Sequence, residues 1–120
     1  MALGLSDELI ADIGGALIAR LDGGSGPATF DIYTAPRPAR GASPTGATLL
    51  GTLTFSDPSG TQTGNVVTFG TITADSGADA SGTAAWGRAK KSTGAFVMDA
   101  SITVTGGGGD FVMNSVNVVA

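Results

Sequence analysis

Residues 83–105, which read TAAWGRAKK, STG and AFVMDASITVT in turn, decide the fold class of this chain. The last of these segments alternates between apolar and other side chains, and a period of two is typical of a β-strand. The first segment alternates in the same way and places Trp86, Arg88 and Lys90 on one face. The Ser-Thr-Gly segment between them is short enough to close a hairpin. The sequence therefore predicts two antiparallel strands here.

The rest of the chain after residue 26 has the same β-rich character. Threonine and apolar residues are abundant in it, and turns containing glycine or proline separate its runs. The proline-rich stretch 35–46 favours extended backbone and is excluded as a central strand. Short strands at this spacing predict an all-β fold with one N-terminal helix, an antiparallel β-sandwich that is jelly-roll-like. The further predicted strands are residues 28–34, 47–56, 65–74 and 111–119.

Residues 6–22 form the one predicted helix. A serine stands at its N-cap position, acidic residues follow, and apolar residues recur every four positions. Two glycines in its middle each cost about 1 kcal/mol relative to alanine. The helix therefore needs a surface to pack against, either its own sheet or a partner subunit. We divide the chain into an N-terminal segment with this helix, residues 1–26, and a β-sandwich domain, residues 27–120.

The composition excludes several classes of protein. The 120 residues include no cysteine and no histidine, so a disulfide, a thiolate metal site and a Ser-His-Asp triad are impossible. A net charge of −4 argues against a free-standing nucleic-acid binder. No apolar run reaches the roughly 18 residues of a membrane helix, and the N-terminal residues lack the basic start of a signal peptide. We expect folding in a cytoplasm, with no nucleic-acid and no membrane partner.

Acidic residues are the remaining candidates for chemistry. The loop at residues 75–79, DSGAD, has alternating oxygen donors, but Trp86 stands where a helix-loop-helix calcium site needs its closing carboxylate. This loop is either a looser cation site or, as we favour, a solvated turn. Asp31 and Asp99 lie in predicted strands, where they either meet across a sheet or, as we favour, face solvent. We assign no catalytic, cofactor-binding or metal-binding residue.

Most of the cations fall into two clusters, Arg37 with Arg40 and Arg88 with Lys90 and Lys91. They form either a docking patch for an acidic protein surface or, as we favour, charges that protect an edge strand from unwanted pairing. The single tryptophan of the chain shares a face with the second cluster. It is either a core anchor, which we favour, or a hot spot of an interface.

Five segments together form a recognisable pattern: DIYT at 31–34, TGATLLGTLTFSDP at 45–58, ADSGADASGTAAWGR at 74–88, MDAS at 98–101 and GD at 109–110. A proline-rich loop separates the first two. The pattern resembles a family of small structural proteins of tailed bacteriophages, the capsid decoration or cement proteins. The similarity extends over roughly residues 6–119, and this family has no catalytic motif to transfer.

The resemblance implies a jelly-roll or related β-sandwich on the exterior of the virion capsid, made in the host cytoplasm. It implies the major capsid protein as a partner, and this chain itself as a homodimer or homotrimer, with no cofactor. Because the chain carries few charges, we expect binding to the shell to depend weakly on salt. The residues that we place at protein interfaces are Ile10, Ile13, Leu17, Arg37, Arg40, Trp86, Arg88 and Lys90.

Two other classes of function stay open. A tail- or fibre-associated β-sandwich would recognise carbohydrate or protein, and Trp86 and Tyr33 are its best aromatic candidates. An enzyme is disfavoured because histidine and cysteine are absent. Hydrolysis by a metal held between carboxylates, with Asp75 and Asp79 as candidates, is the one catalytic route that the composition leaves.

Overall fold

The structure, a computed structural model, describes residues 4–120. This part of the chain is mostly β with one N-terminal helix, as the sequence predicts. Within it, no helix is both long enough and apolar enough to cross a membrane. Its elements are α1 (Asp7–Leu21), β1 (Thr29–Tyr33), β2 (Leu49–Thr54), β3 (Gly60–Thr63), β4 (Val66–Phe69), β5 (Gly82–Thr83), β6 (Trp86–Lys90), β7 (Phe96–Val104), β8 (Phe111–Met113) and β9 (Asn117–Val118).

Local sequence explains where α1 begins and ends. The Ser6 hydroxyl accepts a hydrogen bond from the Leu9 backbone N–H at 3.2 Å and so caps the first turn. Asp7 and Glu8 in that turn face the positive end of the helix dipole, and Arg20 in the last turn faces the negative end. The predicted helix is therefore confirmed to within one residue at each end.

A curled five-stranded sheet in the order β2-β1-β6-β7-β8 forms the body of the molecule. β1 pairs antiparallel with β2 and with β6, and β6 pairs antiparallel with β7. The turn between β6 and β7 is closed by the Lys91 N–H, which donates to the Ala95 carbonyl at 3.0 Å. Gly94 in this turn has a φ of 89°, which suits glycine. The hairpin predicted within residues 83–105 is thus confirmed.

The last pair of the sheet departs from the prediction. β7 and β8 run parallel, with Ile102 opposite Phe111. The chain therefore doubles back beside β7 through residues 105–110 before β8 begins. Gly106 and Gly108 in this return have positive φ values of 86° and 80°. The predicted antiparallel pairing is therefore wrong for β7 and β8. The glycine-rich link carries the chain back along β7, so that β8 begins opposite Ile102 and runs in the same direction as β7.

Two small antiparallel sheets accompany the large one, β3 with β4 and β5 with β9. The prediction missed β3, whose sequence GTQT has no apolar alternation and is joined to β4 by a turn with Gly64 at a φ of 57°. Each of the predicted strands 83–91 and 111–119 is divided between two sheets. Of the predicted strand 65–74, the continuous strand is β4, Val66–Phe69. A jelly-roll-like arrangement of these sheets stays a prediction.

The two faces of the five-stranded sheet differ in chemistry. On one face the Phe30 ring packs at centroid distances of 4.8 Å from Phe111 and 6.4 Å from Phe55. The buried residues of this apolar cluster are Leu21, Ala28, Phe30, Ile32, Leu50, Phe55, Ala84, Ala89 and Ile102. We call the opposite face the charged face; by strand register it carries Asp31, Tyr33, Trp86, Arg88, Lys90 and Asp99.

The helix packs against the β3–β4 hairpin of its own chain. A Cβ atom at Gly14 would lie 2.7 Å from Val67 Cγ2 and 3.3 Å from Gln62 Cγ. The missing side chain therefore lets helix and hairpin approach closely. Leu21, fully buried at the end of the helix, joins the apolar cluster. Of the two predicted alternatives, packing on the chain's own β-structure is the one observed, although the surface is the small hairpin.

Candidate functional site

Two ion pairs occupy the charged face. Arg88 donates through Nε and Nη2 to the two carboxylate oxygens of Asp99, at 2.7 and 3.0 Å. Lys90 Nζ lies 2.6 Å from Asp31 Oδ2, and the Thr52 hydroxyl donates to Asp31 Oδ1 at 3.0 Å. The Asp99 and Asp31 side chains are only 1% and 5% exposed. The interpretation that these carboxylates face solvent is therefore wrong.

The position of β6 at the centre of the sheet explains this arrangement. Arg88 stands opposite Asp31 on one neighbouring strand and opposite Asp99 on the other. The backbones of Asp31 and Asp99 are thus two strand spacings apart, roughly 10 Å, and each carboxylate is paired with a different cation of β6. Because β6 has neighbours on both sides, its cations do not protect an exposed edge, and that interpretation of the cluster is also wrong.

Aromatic rings extend the charged face beyond the ion pairs. The Trp86 and Tyr33 rings stack at a centroid distance of 4.5 Å and an angle of 11°, and Trp86 Nε1 donates to the Thr34 carbonyl at 2.9 Å. Arg88 Cζ lies 5.3 Å from the Trp86 ring and 5.3 Å from the Phe96 ring. Trp86 is 1% exposed. It is therefore a buried anchor, and neither it nor Arg88, at 8% exposure, lies on the free surface.

The proline-rich loop 35–46 reaches this face and helps to close it. Its Arg37 donates through Nη2 to the Asp99 backbone carbonyl at 3.2 Å, and its Gly41 N–H donates to Asp99 Oδ2 at 3.1 Å. Arg40 of the same loop is exposed. Of the cations expected at interfaces, Arg37 thus also has an internal partner, and Arg40 points to solvent.

The electrostatics of this face follow from burial and from these partners. Burial alone would raise the pKa of Asp99, but hydrogen bonds from Arg88 and Gly41 outweigh it and hold the pKa below its usual range. The same bond to Asp99 raises the pKa of Arg88. Burial, followed by the charge of Asp31, raises the pKa of Tyr33. These groups are held in fixed charge states near neutral pH, which suits a structural network.

The outer side of α1 presents exposed apolar residues among the predicted contact surfaces. Ile13 is 53% exposed, and Leu9, one turn before it, is 45% exposed. Ile10 and Leu17, the other two residues expected here, are half-buried. Leu5, just before the helix, is 43% exposed and was not among the predicted interface residues. Its spacing of four from Leu9 is the sequence signal that would have identified it.

The acidic loop after β4 is hydrogen-bonded to strand β2 of the five-stranded sheet. Asp75 accepts hydrogen bonds from the Thr52 N–H at 3.0 Å and from the Gly77 N–H at 3.1 Å, and these bonds lower its pKa. The Asp79 N–H donates to the Leu50 carbonyl at 2.9 Å, so the loop is tied to the edge of β2. In the described part of the chain, no three acidic residues come together as a group that would hold a metal ion.

Two apolar cavities lie under the apolar face of the sheet, of about 180 and 150 Å³. Ile32, Leu53 and Met113 border both of them. The first also touches Asp75, and the second touches the ring of Phe111. Both cavities are bordered by residues of the apolar cluster and open toward the surface. The periodicity of the sequence does not predict them.

Comparison of the chain with protein-family models, with curated proteins and with solved structures finds no match. The inference of function therefore rests on the residues and on the geometry of their contacts.

Proposed function

We propose that this chain is a non-enzymatic structural protein of a phage virion, a decoration or cement protein. In this role it binds the outer capsid surface, bridges neighbouring major capsid subunits and stabilises the expanded shell. The sequence pattern at residues 31–34, 45–58 and 74–88 supports this class.

The observation that carries the proposal is how the chain divides its charged and apolar side chains. Two of the six cations are paired within the described structure, Arg88 with Asp99 and Lys90 with Asp31. Large apolar side chains are instead exposed on regular elements. Among them are Leu9, Ile13, Val66, Val104 and Val112, with exposures between 44% and 56%. Exposed apolar surface on a folded framework favours contact with other proteins.

A protein of this kind acts through binding free energy. A ligand that binds only the expanded shell stabilises that state by mass action, and the effect grows with the number of occupied sites. Copies that bridge two capsid subunits also gain from multivalency, because the second contact is made at high effective concentration. No bond-making step is required of the chain.

The test is to mix the purified protein with expanded, undecorated capsids of the matching phage and to measure co-sedimentation. We expect saturable binding and a higher temperature of capsid disruption. We also expect occupancy to change little between low and high salt, because the proposed contact is mainly apolar and salt screens only the charged part of it. Absence of co-sedimentation would reject the proposed function, and a large loss of occupancy at high salt would reject a mainly apolar contact.

The alternative, a tail- or fibre-associated module that binds carbohydrate, loses its main support in the structure. Sugar-binding platforms need an exposed aromatic ring, and the Trp86 ring is buried against Tyr33. Binding to a glycan array by the intact protein would favour this alternative over the capsid role.

A further inference from the structure

The outer side of α1 has the spacing of a helix-pairing seam. Leu9, Ile13, Ala16 and Arg20 follow one another at intervals of four, three and four residues, and all four are exposed. This is the alternation of a coiled-coil seam, in which such positions form one continuous stripe. The inner side of the helix is covered within the chain, because Gly14 packs against the β3–β4 hairpin. The stripe therefore has no covering element among residues 4–120.

The chain exposes more surface than a monomer of its mass normally does. Its accessible area is 6897 Å² at 11.7 kDa. The scaling law for monomeric proteins gives roughly 5900 Å² at this mass. The excess of about 1000 Å² is close to the roughly 800 Å² that each partner buries in a stable protein–protein interface. The excess is summed over the whole chain, and its size matches the area that one covering partner of ordinary interface size would bury.

The two ends of the stripe complement each other in shape. At the N-terminal end Leu9 projects into solvent. Toward the C-terminal end Ala16, Ala19 and Gly23 line a shallow depression of about 390 Å³. Small residues at a helix surface let another side chain or helix approach closely. A projecting leucine at one end and a depression at the other suit a second copy of the same helix in the reverse direction.

The charges at the two ends complement each other as well. Glu8 stands in the first turn at the flank of the stripe, whereas Arg20 stands in the last turn and borders the depression together with Lys91. When two such helices lie antiparallel, the acidic end of each meets the basic end of the other. A parallel arrangement would instead bring like charges together. Charge thus favours the antiparallel arrangement.

We propose that two copies of this chain pair through antiparallel α1 helices, about a two-fold axis between Ile13 and Ala16. Leu9 of each copy lies over the Ala16–Ala19 depression of the other copy, and Glu8 of each copy meets Arg20 of the other. The interface is isologous, so it closes as a dimer and does not extend into a filament. The pairing uses Leu9 and Ile13, which are among the exposed residues that support the capsid role, but its test needs no capsid.

The first experiment measures the mass of the full chain by sedimentation equilibrium over a wide range of protein concentration. We expect a dimer that dissociates on dilution. Leu9→Asp or Ile13→Asp, each at an exposed position, should raise the dissociation constant about 100-fold, because a carboxylate enters an apolar contact. The matched control is Val119→Asp, at a valine 80% exposed outside the helix, which should leave the dimer unchanged. Circular dichroism verifies that each variant is folded.

The second experiment tests the direction of pairing by charge reversal. Arg20→Glu should weaken the dimer, and adding Glu8→Arg to it should restore the dimer. The two positions are twelve residues apart in one helix, roughly 18 Å, so they do not pair within a chain. Restoration would therefore report a contact between copies.

The third experiment uses cysteine, which the natural chain lacks. Under oxidation, Ile13→Cys should crosslink two copies readily, because the two positions lie near the axis. Leu9→Cys should crosslink poorly, because the antiparallel arrangement separates its two copies by roughly 16 Å along the helices. Equal crosslinking at both positions would indicate parallel helices and overturn the proposal.

Other outcomes would also overturn it. These are a chain that is monomeric at every concentration, a trimer, or a dimer that neither helix variant weakens. If the chain is monomeric and Ile13→Asp abolishes binding to capsids, the stripe contacts the capsid protein and not a second copy. Failure of capsid binding by a chain that does dimerise would reject the proposed function and leave the helix pairing standing.

Discussion

The two glycines in the middle of α1 provide a sharp test of how the helix packs. Gly14 and Gly15 are neighbours with the same intrinsic cost to the helix, and replacement of either by alanine should gain about 1 kcal/mol of helix propensity. Their surroundings differ. A Cβ at Gly14 would lie 2.7 Å from Val67 Cγ2, whereas at Gly15 the nearest atom, on Gln62, would be 3.9 Å away. The two substitutions should therefore have opposite signs.

The magnitude follows from these distances. At Gly15 the new methyl group makes ordinary contact, so Gly15→Ala should stabilise the protein by about 1 kcal/mol. At Gly14 the methyl group must displace the side chain of Val67, which is β-branched and stiff, and over-packing of this kind costs about 1–3 kcal/mol. Gly14→Ala should then destabilise by about 1 kcal/mol. The two variants should differ by about 2 kcal/mol, or roughly 8 °C in Tm for a domain of this size.

The assay is urea unfolding followed by circular dichroism, with all variants at one protein concentration because dimerisation would shift apparent stability. Val67→Ala removes the methyl group that would clash with the new Cβ at position 14. Gly14→Ala should therefore destabilise the Val67→Ala variant less than it destabilises the natural chain. Equal stabilisation by Gly14→Ala and Gly15→Ala would refute the reasoning, because it would show that the hairpin does not lie against position 14.

The charged face gives further predictions. Asp99→Asn should lower the free energy of unfolding by about 3 kcal/mol at pH 7, since it leaves the Arg88 guanidinium buried without its carboxylate. The folded pKa of Asp99 is lowered, so its contribution is complete above the unfolded pKa, about 3.9, and is lost as pH falls through the folded value. The free energies of unfolding of the natural chain and of Asp99→Asn should accordingly converge as the pH falls. A difference that stays constant down to about pH 2 would contradict this. Trp86→Phe should cost about 2 kcal/mol in thermal unfolding, because the buried indole leaves a cavity and the part-buried Thr34 carbonyl loses the hydrogen bond from Nε1. An unchanged Tm would argue against a buried Trp86.

Short-range signals in the sequence were sufficient for several elements. The Ser6 cap and the acidic first turn located α1, because capping depends on residues within one turn of each other. Alternation on either side of a short turn located the β6–β7 hairpin for the same reason. The absence of histidine and cysteine excludes whole classes of chemistry by composition alone.

Other features were beyond local pattern. The β3 strand has a polar sequence, and it is a strand because it pairs with β4 and packs under the helix. The parallel β7–β8 pair follows from the path of the 105–110 return, which periodicity does not encode. Alternation showed that Trp86, Arg88 and Lys90 share a face, but not that this face is covered.

By itself, then, the sequence determined the helix, the β-rich class and the faces of the strands, since each depends on residues near one another along the chain. Tertiary structure decided which of those faces meets solvent. Arg88 and Trp86 are buried because Arg88 forms an ion pair with Asp99 and the Trp86 ring stacks on Tyr33, both on neighbouring strands. The outer stripe of α1 is exposed, because the hairpin took the glycine side of the helix. Whether a residue is buried depends on contacts with residues that are distant along the chain, and a local sequence pattern does not specify those contacts.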